Sequence, residues 1–208
     1  MPKRLRRFCV LTFLAAATIA LLHGAPVRAD SAVPLITRLN DALLGTMKSA
    51  SALGYEGRYK KLDPVIRQTF DLSFMTQYSA GRHWRQLSEA QKKSLVDAFT
   101  RLTVATYADR FDGYSGEKFV VVKEATPREG NRLVESELIK SDGEPIKLNY
   151  LMRQTQDGWR VIDIFLKGTI SELATKRSEY SSTLSNQGFD GLMAIFEQKI
   201  SGLKATKS

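Results

Sequence analysis

Between Ser31 and about Leu53 the apolar residues Leu35, Leu39 and Leu43 recur at helical spacing, with Ile36 and Leu44 alongside, which predicts an amphipathic helix ending at Gly54. A second helix is predicted from about Tyr59 to Phe70, and a short third one, capped by Asp71, through Phe74, Met75 and Tyr78 to just before Gly81. Ser88-Glu89-Ala90-Gln91 has the form of a capping box, with serine at the cap and glutamine three residues later. It opens a long helix whose apolar residues Leu95, Phe99, Leu102, Tyr107 and Phe111 carry it to about Tyr114.

The period then changes from helical to alternating. Four strands are predicted, over residues 118–126, 132–140, 145–154 and 159–167, joined by turns rich in Gly, Asp and Asn that suit an antiparallel meander. In the third strand Ile146, Leu148, Tyr150 and Met152 fall on one face, and Lys147, Asn149 and Arg153 on the other. The fourth places Val161 and Phe165 on one face and Ile162, Ile164 and Leu166 on the other, as if covered on both sides. Two closing helices follow, from about Ser171 to Gln187 and from about Asp190 to Leu203, separated by Gly188. Helices, then strands, then helices predict an α+β fold: a four-stranded antiparallel sheet packed against a layer of helices, with helices at both ends of the chain.

The amino terminus changes the reading of the charge. Residues 1–29 have the build of a secretory signal: Lys3, Arg4, Arg6 and Arg7, an apolar run from Phe8 to Leu22, and Val27-Arg28-Ala29 before Asp30. With the five basic residues of that segment removed, the formal charge falls from +9 to +4. The expectation is an exported protein cleaved after Ala29, its domain spanning residues 30–208. The lone cysteine, Cys9, leaves with the signal, so disulfide and thiol chemistry leave too. The remaining positive charge suits an anionic partner such as a membrane surface no better than it suits solubility alone. No basic run interleaved with aromatics points to nucleic acid.

The inventory of reactive groups is thin. His83, beside Trp84, is the one histidine after the signal, which with no cysteine excludes a structural zinc site or redox centre and leaves only an all-carboxylate metal site open. Gly113-Tyr114-Ser115-Gly116 is one residue short of a nucleophile elbow and follows a helix, so it reads as a turn. Glu135 and Glu137 share a strand face that reads as solvated. The expectation is no enzyme: no catalytic residues, no metal and no cofactor.

A set of segments in order resembles the MlaC family of periplasmic phospholipid-binding proteins, also called toluene-tolerance proteins. They include Phe74-Met75, Gly81-Arg82-His83-Trp84-Arg85, Leu87 to Gln91, Phe99 through Tyr107 to Phe111, and Ile146 to Tyr150. Gly158 to Ile164, Gly168 to Leu173, Arg177 to Tyr180 and Gly188 with Gly191-Leu192 complete the set. The likeness is closest to the hopanoid-associated branch, HpnM, because Gly168-Thr169-Ile170-Ser171-Glu172-Leu173 replaces the commoner segment after the last strand. The resemblance implies a curved sheet of cystatin-like or NTF2-like shape with an apolar cavity between sheet and helices. It also implies a carrier of phospholipid, or of a hopanoid-type lipid, between membranes. Its partners would be an inner-membrane ABC transporter complex and an outer-membrane lipoprotein complex, with peripheral membrane contact only.

For the lining of such a cavity the expected residues are Ile146, Leu148, Tyr150, Met152, Val161 and Phe165 from the sheet. Facing them would be Phe74, Met75, Tyr78, Phe99, Leu102 and Tyr107 from the helices. Arg82, Arg85 and Arg177 are the candidates for an anionic headgroup. Two other readings stay open: an adaptor that encloses no lipid, and an enzyme in an NTF2-like shell.

Overall fold

The computed structural model describes residues 31–205, and the expected signal over residues 1–29 lies outside them. Helix α1 runs Val33–Met47, α2 Ala50–Thr69, α3 Leu72–Ala80 and α4 Glu89–Arg110, with a 3-10 helix, Gly81–Gln86, between α3 and α4. Strands β1 (Lys118–Ala125), β2 (Asn131–Ile139), β3 (Pro145–Thr155) and β4 (Gly158–Leu166) follow, then β5 (Ile170–Ser171) and α5 (Glu172–Ala205).

The helix starts obey their local chemistry. The Asp71 carboxylate accepts the Phe74 N–H at 3.0 Å and caps α3. At α4 the capping box closes both ways: Gln91 N–H donates to Ser88 Oγ and Ser88 N–H to the Gln91 side-chain oxygen. The first predicted helix ends early, at Met47, and the break expected at Gly54 becomes a kink inside α2. Gly54 has φ 57°, ψ −177°, and Gly188 has φ 69°, ψ −169° inside α5. That region belongs almost entirely to glycine, so both glycines bend helices that continue past them.

The sheet is an antiparallel meander in the order β1-β2-β3-β4-β5. It has five strands where the alternation predicted four. Lys167 and Gly168, with φ of 53° and 83°, turn the chain sharply after β4, and Ile170 and Ser171 pair back onto Leu166 and Phe165. Two residues are too few for any alternation to register.

A second departure decides which side chains face the helices. Leu151 pairs with Asp163 but Met152 pairs with Val161, so Ile162 is an extra residue in β4. Such a bulge reverses the inside-outside parity of everything beyond it. Val161 therefore joins the helix-facing side with Ile164 and Leu166, while Phe165, opposite Asn149, faces away. The expected pairing of Val161 with Phe165 on one face is thus corrected.

Helices pack on the inner face of this sheet around one principal apolar cluster. Ile36, Leu39, Leu43, Leu62, Ile66, Leu192 and Phe196 from the helices meet Val134, Met152 and Val161 from the strands, all at 0–1 % exposure. Phe70, just past α2, bridges directly to Val161. At the other end of β4 the buried Asp163 carboxylate accepts from Ser171 Oγ at 2.6 Å and from Leu173 N–H at 2.9 Å, tying the sheet to the start of α5.

Candidate functional site

The packing leaves a cavity of about 350 Å³ between the sheet and helices α3, α4 and α5. One stripe of α4 builds one wall: Phe99, Leu102, Thr103, Thr106, Tyr107 and Arg110 recur at the spacing of a single helix face. The two threonines do not make that stripe polar, because Thr103 Oγ1 donates to the Phe99 carbonyl and Thr106 Oγ1 to the Leu102 carbonyl, each at 2.8 Å. Their hydrogen bonding is met within the helix.

The sheet supplies the facing wall through its register. Leu138 pairs with Ile146, Leu148 with Leu166, and Tyr150 with Ile164, and all six line the cavity. A stripe of α5 closes one side, with Glu172, Lys176 and Tyr180 each four residues apart. Phe70, Met75 and Phe111 complete the lining.

Aromatic contacts hold the wall side chains in place. Tyr180 meets Phe196 edge-on at 4.9 Å and Phe99 at 6.4 Å, while Tyr107 meets Phe70 at 5.7 Å and stacks on Phe111 at 5.6 Å. Burial raises the phenols of Tyr107, Tyr150 and Tyr180 above the ordinary tyrosine value, so the interior carries no phenolate at neutral pH. Charge is confined to Arg110, Glu172 and Lys176. Burial also lowers the Lys176 ammonium from its usual value, with Glu172 and Glu179 opposing that shift and Arg110 adding to it.

Of the lining expected from sequence, Met75, Phe99, Leu102, Tyr107, Ile146, Leu148 and Tyr150 stand around this cavity. Met152 and Val161 pair with each other and are fully buried in the core beside it. Phe165 lies on the far side of the sheet, by the bulge described above. Phe74 and Tyr78 sit on the opposite side of α3 from Met75, stacked at 6.1 Å, and line a separate open cleft. Arg82, Arg85 and Arg177 line that same cleft with Trp84, away from the cavity. There Arg177 lies 4.7 Å from the Tyr78 ring centre, and Arg153, paired to Asp71, lies 4.4 Å from that of Phe74.

Sequence reasoning missed Phe70, Thr103, Thr106, Arg110, Phe111, Leu138, Ile164, Leu166, Glu172, Lys176 and Tyr180. The α4 members could have been found by extending the stripe from Phe99 through its polar positions, and the α5 members by stepping back in fours from Tyr180.

His83 has no carboxylate partner among the described residues. Its Nε2 lies 3.1 Å from Ser185 Oγ, which also lies 2.9 Å from the Ser181 carbonyl. Glu135 pairs with Lys123 at 3.2 Å on the sheet surface. Among the described residues no three His, Cys, Asp or Glu side chains gather where they could hold a metal, and no described helix is long and apolar enough to cross a membrane.

Comparison with known proteins bears on this geometry. The family model described as MlaC protein matches residues 37–198. Among solved structures, the fold matches that of a phospholipid-binding protein from Ralstonia solanacearum, determined in complex with a phospholipid. The TM-score is 0.74 at 23 % sequence identity, and the match covers 84 % of this chain and 99 % of the other.

Proposed function

The chain belongs to the MlaC family, and from that membership and its apolar cavity we propose that it binds a phospholipid by enclosing hydrocarbon between sheet and helices. The observation that carries this reading is a cavity of about 350 Å³ whose charged groups are confined to three of its lining residues. That size is within the roughly 300–1,000 Å³ usual for small-molecule sites. The Ralstonia solanacearum protein of similar fold, solved with a phospholipid, supports the same ligand class here.

The energetic need is large. Moving one 15-methylene chain out of water is worth about 12 kcal/mol at about 0.8 kcal/mol per methylene. A bilayer offers the same shelter, so the cavity and the membrane differ little in affinity for the chain, and exchange between them is reversible. This is the behaviour of a shuttle. We place the protein in the periplasm, carrying phospholipid between membranes within an ABC-transporter-linked pathway. An inner-membrane transporter complex and an outer-membrane lipoprotein complex are its partners, and it touches membranes only peripherally. Loading and release need no catalytic group in the chain itself.

Native mass spectrometry of the purified protein tests the binding claim, with phospholipid expected as a copurified adduct. A hopanoid adduct would instead assign the cavity to the hopanoid branch. Protein that carries no lipid and takes none from phospholipid vesicles would end this reading. Transfer of a fluorescent phospholipid between donor and acceptor vesicles tests the shuttle, which fails if the protein does not raise the rate.

A further inference from the structure

The cavity is buried at one end and exposed at the other. Met75, Phe99, Leu102, Tyr150 and Tyr180 are almost inaccessible, whereas Arg110 and Ile146 are exposed and Glu172 and Lys176 half-buried. The mouth therefore lies between the end of α4 and the start of α5, and its charged rim is two cations and one carboxylate.

Lys176 lies on the second turn of α5, four residues after Glu172, with its ammonium 5.9 Å from the Tyr180 ring centre. Burial and Arg110 work against its charge, and Glu172 and Glu179 only partly offset them. Neither Arg110 nor Lys176 forms an ion pair with a described carboxylate, and the next acid along α5, Glu179, is held by Lys199. What the pair has in common is the mouth of an apolar cavity.

We propose that Arg110 and Lys176 form a clamp for the phosphodiester of a phospholipid whose hydrocarbon chain occupies the cavity, a role that rests on the binding reading above. With two cations at the rim and the single carboxylate of Glu172, an anion between Arg110 and Lys176 completes the counter-charge. Arg110 offers a planar fork of donors and Lys176 a compact ammonium, the two usual ways of holding a phosphate. Placing phosphate contacts at the mouth also sets the direction of entry, chain first. Glu172 beside them disfavours a second negative charge, which selects a diester over a phosphomonoester. The arginines of the separate cleft, Arg82, Arg85 and Arg177, have no part in this contact.

The test compares two chain-labelled probes of identical acyl composition, phosphatidylglycerol and diacylglycerol, titrated from detergent micelles into the purified full chain. Wild type should prefer phosphatidylglycerol by about tenfold, the scale of one charge-assisted contact. Arg110→Gln with Lys176→Gln should abolish that preference by weakening phosphatidylglycerol binding about tenfold relative to diacylglycerol, with thermal unfolding confirming that the variant folds. Lys176→Arg should keep the preference. Equal binding of both probes by wild type would overturn the clamp while leaving the cavity reading standing. Binding of neither would end both. Loss of the preference on Arg82→Gln with Arg85→Gln would move the headgroup to the other cleft and also overturn the clamp. Inorganic phosphate is added at constant ionic strength as a final arm. If it alone binds as tightly as phosphatidylglycerol, the site is one for free anions and the lipid clamp is refuted.

Discussion

Replacing Asp163 by alanine would remove the knot that joins the last long strand to α5. The carboxylate is 6 % exposed and accepts three hydrogen bonds, from Ser171 Oγ at 2.6 Å, Ile164 N–H at 2.7 Å and Leu173 N–H at 2.9 Å. Ser171 in turn uses its Oγ to accept the Ala174 N–H at 2.9 Å, so one acid organises the whole first turn of α5. Hydrogen bonds to a charged group are worth about 1.5–3 kcal/mol each, but these three share one acceptor whose burial has its own cost, so they do not add. The expected loss is about 2–4 kcal/mol, which lowers the melting temperature by about 5–15 °C in a domain of this size. Thermal unfolding followed by circular dichroism measures it, and Asp163→Asn, which keeps an acceptor oxygen, should lose about half as much. Because Glu172 and Lys176 begin the same helix at the cavity mouth, phospholipid capture should weaken in both variants even at temperatures where they are folded. A melting temperature for Asp163→Ala within 2 °C of wild type would show that the carboxylate does not organise this junction.

Two further outcomes follow from the same packing. Leu148→Trp directs an indole into the cavity from the sheet side and should cut phospholipid copurification, read by native mass spectrometry, by about tenfold while costing less than about 2 kcal/mol. Gly188→Ala forces a side chain onto a backbone at φ 69°, ψ −169° and should destabilise by about 1–3 kcal/mol in urea unfolding; since nothing beyond the neighbouring residues and the helix's own backbone lies within 4 Å of the added methyl, that loss would come from the local backbone.

What could be read before any coordinates was whatever local chemistry decides. The Asp71 cap, the Ser88–Gln91 box, the hinge glycines 54 and 188, and the four long strands all announce themselves within a few residues. The bulge at Ile162 did not, because a skipped pairing is a property of two strands together, and it alone exchanged Phe165 for Ile164 and Leu166 in the lining. Phe74 and Tyr78 are apolar and adjacent to Met75, yet a helix turns them about its axis into another cleft, so proximity in sequence misled where periodicity would not. Thr103, Thr106, Arg110 and Lys176 escaped because a search for greasy positions passes over polar residue types. Two of them hide their hydroxyls in the backbone, and the other two stand at the rim.

The cavity poses a problem that its own walls answer. A hollow of about 350 Å³ that opens at one end leaves its apolar walls facing water unless something fills it. The usual remedy, inward collapse, is blocked: Tyr180 is braced by Phe99 and Phe196, and Tyr107 by Phe70 and Phe111, in edge-on and stacked contacts that fix large rings in place. Water is a poor substitute, since each buried molecule needs two to four polar partners and the α4 threonines have already spent their hydroxyls on carbonyls one turn back. The filling that satisfies all three constraints is hydrocarbon, which needs no hydrogen bonds and adapts to an irregular wall. On the proposed reading, a bound lipid stabilises the protein in proportion to how tightly it is held. Release would then depend on a membrane or partner that shelters the hydrocarbon chain equally well.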